Sequence, residues 1–163
     1  MLSKNKLFFS IFLKKEQGFT VIELFLVITL TLVLVSLSVP IYSSLQISNQ
    51  LNGSTSLLVQ TLRTGKERSM ARVNNSIHGI KLQENSYVLY QGSSYATRTQ
   101  EYDRVTELEG ISLSWSLSGS GQTDEIIFSK SLGVPNMIGT ITLTNEDNKT
   151  KTISINEIGK IEQ

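Results

Sequence analysis

One carboxylate stands inside an apolar run. Glu23 lies within residues 19–39, where the only other departures from apolar character are Thr and Ser. A carboxylate at bilayer depth costs roughly 2.5–3.5 kcal/mol on insertion scales. A buried carboxylate that has lost its partner is far costlier than a paired one, so a charge kept here calls for a partner. Positions 19 and 23 are i and i+4, which places Phe19 and Glu23 on one face of a helix, about 6 Å apart along its axis. The bland alternative is a stray interfacial charge within one turn of the membrane boundary. Gly18 separates this run from the basic segment before it.

Elsewhere the chain offers little reactive chemistry. His78 is the only histidine; it alternates with Ile77 and Gly79 in a strand-like pattern, and no carboxylate has ligand spacing to it. A structural or surface role is the simpler reading. With no cysteine in the sequence, disulfides, thiolate metal sites and cysteine nucleophiles are excluded. None of the serines sits in a Gly-x-Ser-x-Gly elbow. Ser118-Gly119-Ser120-Gly121 has loop composition but no helix after it, which argues against a phosphate cradle. Asp103, Glu107 and Glu109 form a small acidic group whose expected partner is solvent. Trp115 reads as core. Asn145, Glu146, Asp147 and Asn148 offer oxygens to a calcium ion, but a tight hairpin turn accounts for them more simply. These residues predict no enzyme, no cofactor and no metal site.

The elements that must position Glu23 follow from the charge and hydropathy pattern. The chain has 163 residues and a formal charge of +1. Residues 1–18 hold Lys4, Lys6, Lys14 and Lys15 against Glu16, a local net of 4 − 1 = +3. The rest carries 15 − 4 = 11 basic and 14 − 1 = 13 acidic side chains, a net of −2. Such a balance gives no sign of a nucleic-acid partner. About 20 apolar residues span a hydrocarbon core as a helix, and residues 19–39 supply that length. Lysines precede the run and the next basic residue is Arg63, which predicts a cytoplasmic N-terminus. A cleaved secretory signal would have an h-region of about 7–15 residues, and this run is longer. A plain single-span anchor fits the length but gives no role to Gly18 or Glu23.

After Pro40 the helical period continues to residue 74. Ile41, Leu45, Ile47, Leu51, Leu57, Leu58, Leu62 and Met70 form an apolar stripe. A bend is expected at Asn52-Gly53-Ser54, where the glycine costs about 1 kcal/mol relative to Ala. Arg72-Val73-Asn74-Asn75 predicts the helix end, with Asn as a left-handed cap. From residue 76 the period becomes two. "IHGIKL" and "SYVLYQG" flank Gln83-Glu84-Asn85 as a hairpin. "ISLSWSLS" is the clearest strand, with Ile111, Leu113, Trp115 and Leu117 on one side. "EIIFS", "IGTITLT" and "KTISIN" follow, and "GKIEQ" predicts a short edge strand. Residues 92–104 and 118–124 read as loops. A β region of 163 − 74 = 89 residues buries only about 60–65% of its unfolded surface. It therefore needs the helix stripe against it. The predicted class is α+β: a long N-terminal helix, membrane-spanning in its first half, packed on a small antiparallel β-sheet domain, either one twisted sheet or two small ones.

"KKEQGFTVIEL" followed by an apolar helix resembles the processing site of type IV prepilins. The resemblance implies that a membrane-embedded aspartic peptidase cuts after Gly18 and removes residues 1–18. Phe19 then becomes the N-methylated N-terminus. Glu23 matches the family's signature glutamate, and Pro40 a proline common near the end of its membrane helix. Cleavage frees an amine on Phe19, and Glu23 can meet that amine or a neighbouring subunit's. The implied partition is leader 1–18, transmembrane and assembly helix 19–39, helix continuation 40–74 and antiparallel β domain 75–163.

"LLVQTLRTGKERSMARVNNSIHGIKL" and "EIIFSKSLGVPNMIGTITLTNEDNKTKTISINEIGKIEQ" resemble the GspH/FimT-like minor pilins, most of all the ComGD-like minor pilins of the Gram-positive competence pilus. Membership implies a subunit that takes part in pilus assembly or initiation, and so in DNA uptake during transformation. The implied partners are other major and minor pilins, the prepilin peptidase, the assembly platform protein and the membrane. The implied location is a single-pass membrane protein that passes to the cell surface in a pilus. A minor subunit of a type II secretion-like pseudopilus and a single-span surface-anchored binding module stand as alternatives. Direct DNA contact is not expected: a related basic Gly-Arg-x-Arg element is here Gly159-Lys160-Ile161-Glu162, one lysine offset by an acid. Arg63, Lys66, Arg68 and Arg72 read as a solvated helix face.

Overall fold

The structure, a computed structural model, describes residues 18–163, with side chains described for all of these except 37–45. The expected leader, apart from Gly18, and the side chain of Pro40 lie outside the described residues. The chain divides after Ile41 into two units.

Helix α1 spans Val21–Met70. It begins two residues later than the pattern of residues 19–39 predicts, and the reason is local. Thr20 is the N-cap: its Oγ1 accepts the Glu23 N–H at 3.2 Å, and its carbonyl accepts the Leu24 N–H at 3.1 Å. Thr-x-x-Glu at a helix start is the sequence form of a capping box. In the first unit every described side chain from 18 to 36 is exposed. Among the described residues, no helix is long and apolar enough to cross a membrane.

In the second unit, α1 runs through Asn52-Gly53-Ser54 without a stop, as expected. Leu51 and Thr55 are buried on either side, and Gln50 Nε2 donates to the Glu109 carbonyl at 2.8 Å. These contacts hold both flanks and outweigh the glycine's propensity cost. The helix ends at Met70 rather than 74. Arg72 takes the left-handed conformation (φ 53) and breaks the ladder. A short 3-10 turn comes next at Val73–Asn75, in which Asn74 and Asn75 are also left-handed.

Eight strands complete the chain: β1 His78–Gln83, β2 Ser86–Gln91, β3 Arg104–Glu107, β4 Ile111–Gly119, β5 Glu125–Phe128, β6 Met137–Asn145, β7 Thr150–Ile155 and β8 Ile161–Glu162. They form two antiparallel four-stranded sheets, ordered β3-β2-β1-β5 and β4-β6-β7-β8. The class is α+β, and the expected hairpin is β1–β2, with Gln83 opposite Ser86. Residue 161 opens the short edge strand that "GKIEQ" predicts. Two departures fall between residues 92 and 107. A 3-10 turn forms at Gln100–Tyr102, and β3 pairs with β2 where no strand is predicted.

One apolar core joins the second half of α1 to both sheets. Leu58, Leu62, Ile80, Tyr87, Phe128, Ile141 and Ile153 belong to it. In β4, Ile111 and Leu113 are buried and Trp115 and Leu117 pack against the core, while the intervening serines are exposed. The helix stripe differs from the purely apolar one predicted. Leu57 and Met70 are exposed. The buried line instead runs through Leu51, Thr55, Leu58, Leu62, Gly65 and Ser69, at steps of 4, 3, 4, 3 and 4, the spacing of one helix face. Leu57 and Met70 fall beside that line. Gly65 sets the closest approach to the first sheet: a Cβ there would lie 2.8 Å from Ile80 Cδ1 and 3.2 Å from Leu89 Cδ1.

Candidate functional site

In the first unit the residues singled out by sequence sit at the start of α1. Gly18, Phe19 and Thr20 precede the helix and are exposed, and among the described residues no atom lies within 4 Å of a Cβ built on Gly18. The Gly18–Phe19 peptide bond is thus accessible and outside regular structure. Phe19 is 83% exposed. Since it precedes the helix, the i, i+4 geometry expected of Phe19 and Glu23 does not hold as drawn. Glu23 is instead the acidic residue of the helix's first turn, where a carboxylate is favoured by the helix dipole. Sequence reasoning missed this second role, although Thr20-Val21-Ile22-Glu23 carries its signal.

In the second unit a polar group lies on the face of the first sheet turned away from α1. Glu125 is 5% exposed. Its Oε2 accepts the Tyr90 hydroxyl and the Tyr95 backbone N–H, both at 3.1 Å. Its Oε1 meets Lys81 Nζ at 3.4 Å, and Lys81 also pairs with Asp124 at 2.6 Å. Lys81 and Glu125 are directly opposite across β1 and β5, but Tyr90 is on β2 and must reach over β1. Gly79 makes this possible. It faces Tyr90 in register, and a Cβ on it would lie 2.5 Å from the Tyr90 hydroxyl oxygen. Burial and the adjacent Glu125 charge push the Tyr90 hydroxyl's pKa far up. For Lys81, burial alone would lower the pKa, but the hydrogen bond and charge of Asp124, joined by Glu125, raise it overall.

Segment 92–103 closes over this group. The Tyr95 ring meets Tyr90 edge-on, centroids 5.6 Å apart. The Arg98 guanidinium lies over the Tyr95 ring at 3.6 Å, donates to the Tyr95 carbonyl at 2.7 Å and pairs with Asp103 at 2.6 Å. Asp103 is therefore partnered by Arg98, not by solvent as the sequence suggests. Each polar atom of Glu125 is spent on another member, so the arrangement holds the segment down and presents no free base or nucleophile.

Of the basic residues expected on a solvated helix face, Arg63 and Arg72 are exposed and Lys66 and Arg68 half-buried, Arg72 lying just past the end of α1. Arg63 donates to the Ile161 carbonyl at 3.3 Å, and Lys66 to the Gly159 carbonyl at 2.9 Å and Ile158 at 3.3 Å. Arg72 donates to Ser131 Oγ at 2.6 and 2.8 Å. The reason is geometric: Arg63 and Lys66 reach C-terminal carbonyls that the second sheet leaves unpaired beside the helix, and Arg72 reaches the loop after β5. Arg68 alone of the four has no such partner among the described residues.

His78 is buried and faces α1, its backbone N–H donating to Ser69 Oγ at 2.8 Å. Burial, then the nearby Arg68 charge, lowers its pKa. Residues 145–148 form the tight turn predicted: Asn145 Oδ1 accepts the Lys149 N–H at 2.8 Å, and Asn148 is left-handed. Among the described residues no group of His, Cys, Asp or Glu could hold a metal ion. Lys160 pairs with Glu162. No family model, no curated protein and no solved structure matches this chain.

Proposed function

We propose that the protein is a minor pilin of a type IV pilus-like competence apparatus, acting in pilus assembly or initiation and so in DNA uptake. The observation that carries this reading is the first unit: an apolar helix segment with every described side chain exposed, a single carboxylate in its first turn and an exposed Gly-Phe-Thr stretch directly before it. Contiguous apolar surface on this scale marks a membrane or protein-interaction site. In the proposed life of the chain a membrane takes that role first, and neighbouring pilin helices later. The exposed Gly18–Phe19 bond is suited to the prepilin peptidase, and Glu23 serves as docking group for an N-terminal amine, its own or a neighbour's.

At the C-terminal element Lys160 pairs with Glu162, which supports assembly over DNA contact there.

Mass spectrometry of the protein from cells that contain the peptidase tests the reading. The expected product lacks residues 1–18 and carries one methyl group on Phe19. An intact leader sinks the pilin reading and favours a single-span anchor. A secretion pseudopilus subunit would give the same processed mass, and loss of transformation in a deletion strain separates it from a competence pilin.

A further inference from the structure

A second site, independent of assembly, lies where α1 ends against the first sheet. A cleft of about 190 Å³ opens there, lined by Arg68, Arg104, His78, Gln91, Glu101 and Asp103 among others. Arg104 stands opposite Leu89 across β3 and β2, on the face of the sheet that packs against the helix. Arg68 lies close enough that the Arg104 charge, after burial, lowers its pKa. Two guanidiniums held near each other cost energy unless an anion lies between them.

Among the described residues no carboxylate forms an ion pair with either guanidinium, and neither Arg68 nor Arg104 has a side-chain hydrogen bond. Asp103 is tied to Arg98, and Glu101, like Arg104, is exposed. With Asp103 paired to Arg98, which is not part of the cleft lining, Arg68 and Arg104 face one remaining carboxylate, Glu101. The helix dipole offers at most about half a charge at the C-terminus, and its last carbonyls are engaged: Glu67 accepts the Ala71 N–H, and Ser69 accepts those of Arg72 and Ser131.

Two further groups in the cleft lack partners. His78 is 2% exposed and its buried Nδ1 makes no hydrogen bond. Gln91 spends its amide oxygen on Asn74 Nδ2 at 2.8 Å, while its Nε2, open to solvent rather than buried, has no acceptor among the described residues. The buried Asp103 Oδ1 is an unused acceptor as well. Buried polar groups in native proteins are almost always satisfied, and exceptions call for a missing ligand, ion or water.

We propose that this cleft binds a small oxyanion, a phosphate or carboxylate group, gripped between Arg68 and Arg104 with Gln91 Nε2 as an additional donor. Guanidinium forks match the paired oxygens of either group. Hydrogen phosphate also carries an O–H, which Asp103 Oδ1 can accept, and acetate does not. Phosphate is therefore the tighter of the two.

The sole histidine gives an unambiguous reporter. The full-length chain in a non-ionic detergent is titrated at fixed pH with sodium phosphate or sodium acetate, each against sodium chloride at matched ionic strength. The His78 imidazole ¹⁵N signals are followed by NMR. The expected result is a saturable shift with phosphate and a weaker one with acetate. Arg68→Gln and Arg104→Gln each weaken binding about tenfold or more, the scale of one lost charge-assisted hydrogen bond, with unchanged thermal unfolding. Tighter saturation by acetate supports the site and assigns it to carboxylates. No saturable shift beyond chloride with either anion overturns it, as does binding unaltered in both arginine variants.

Discussion

Residues 21–36 and residues 51–69 belong to the same helix, and both are rich in Leu, Val and Ile. In the first stretch every side chain is exposed; in the second, Leu51, Leu58 and Leu62 are sealed against two sheets. The two stretches differ in pattern more than in apolar content. The first is apolar on all sides, so no single sheet face could cover it. The second confines burial to one line and places Thr55, Gly65 and Ser69 within it. Those small residues let the sheet approach, and their hydroxyls are satisfied locally: Thr55 Oγ1 donates to the Leu51 carbonyl at 2.6 Å, and Ser69 Oγ accepts the His78 N–H. One stretch finds its partner inside the chain, and the other has every described side chain exposed.

The largest test of that contrast truncates a leucine in each stretch. Leu62→Ala removes a fully buried side chain and is expected to destabilise by about 2–5 kcal/mol. Leu30→Ala removes an exposed one and is expected to change stability by less than about 0.5 kcal/mol. Thermal unfolding of the full-length chain, read through the fluorescence of Trp115, the only tryptophan, compares them. Equal destabilisation would mean that residues 21–36 are packed against the folded domain, and the contrast would fail.

A smaller test uses two glycines of α1. Gly65→Ala forces a methyl into Ile80 and Leu89 and is expected to cost about 1–3 kcal/mol, the range for overpacking. Gly53 has nothing within 4 Å of a Cβ, and Gly53→Ala is expected to stabilise by about 0.5–1 kcal/mol through helix propensity. Opposite signs on one helix support the close approach at Gly65. A neutral or stabilising Gly65→Ala would show that α1 sits farther from the sheet.

These residues also mark what could be read from sequence. The period-two run 111–118 showed its inward face correctly because alternation is a local signal, and the β1–β2 hairpin was legible in its short polar turn. The helix stripe was only half legible: periodicity of apolar residues cannot show that Thr55, Gly65 and Ser69 complete it. β3 escaped because Arg-Val-Thr-Glu is short, polar and on an edge. The group around Glu125 was invisible, since its members come from positions 79, 81, 90, 95 and 125 and meet only through strand order. The same holds for Lys66 and the carbonyls of residues 158 and 159, which are joined by the fold and not by spacing. Gly18, Phe19 and Glu23 were legible in type and order. Their geometry was not, because the Thr20 cap moves the helix start past Phe19.

That cap leads to the smallest expected stability effect, and it separates two roles of Glu23. Glu23 stands three residues after the Thr20 cap, the position where a capping box accepts Glu or Gln alike. As a docking group for an ammonium, it acts through its charge. Glu23→Ala should lose both roles, with a local cost of about 0.3–1 kcal/mol at the helix start. Glu23→Gln keeps the local role and loses the charge. The two readouts are helicity of the full-length chain in detergent, by circular dichroism, and recovery of the processed protein in sheared pili. The expected pattern is near-normal helicity for Glu23→Gln with pilus incorporation as poor as for Glu23→Ala. Normal incorporation of Glu23→Gln would reduce Glu23 to a helix-start residue and leave the exposed helix without its proposed docking charge.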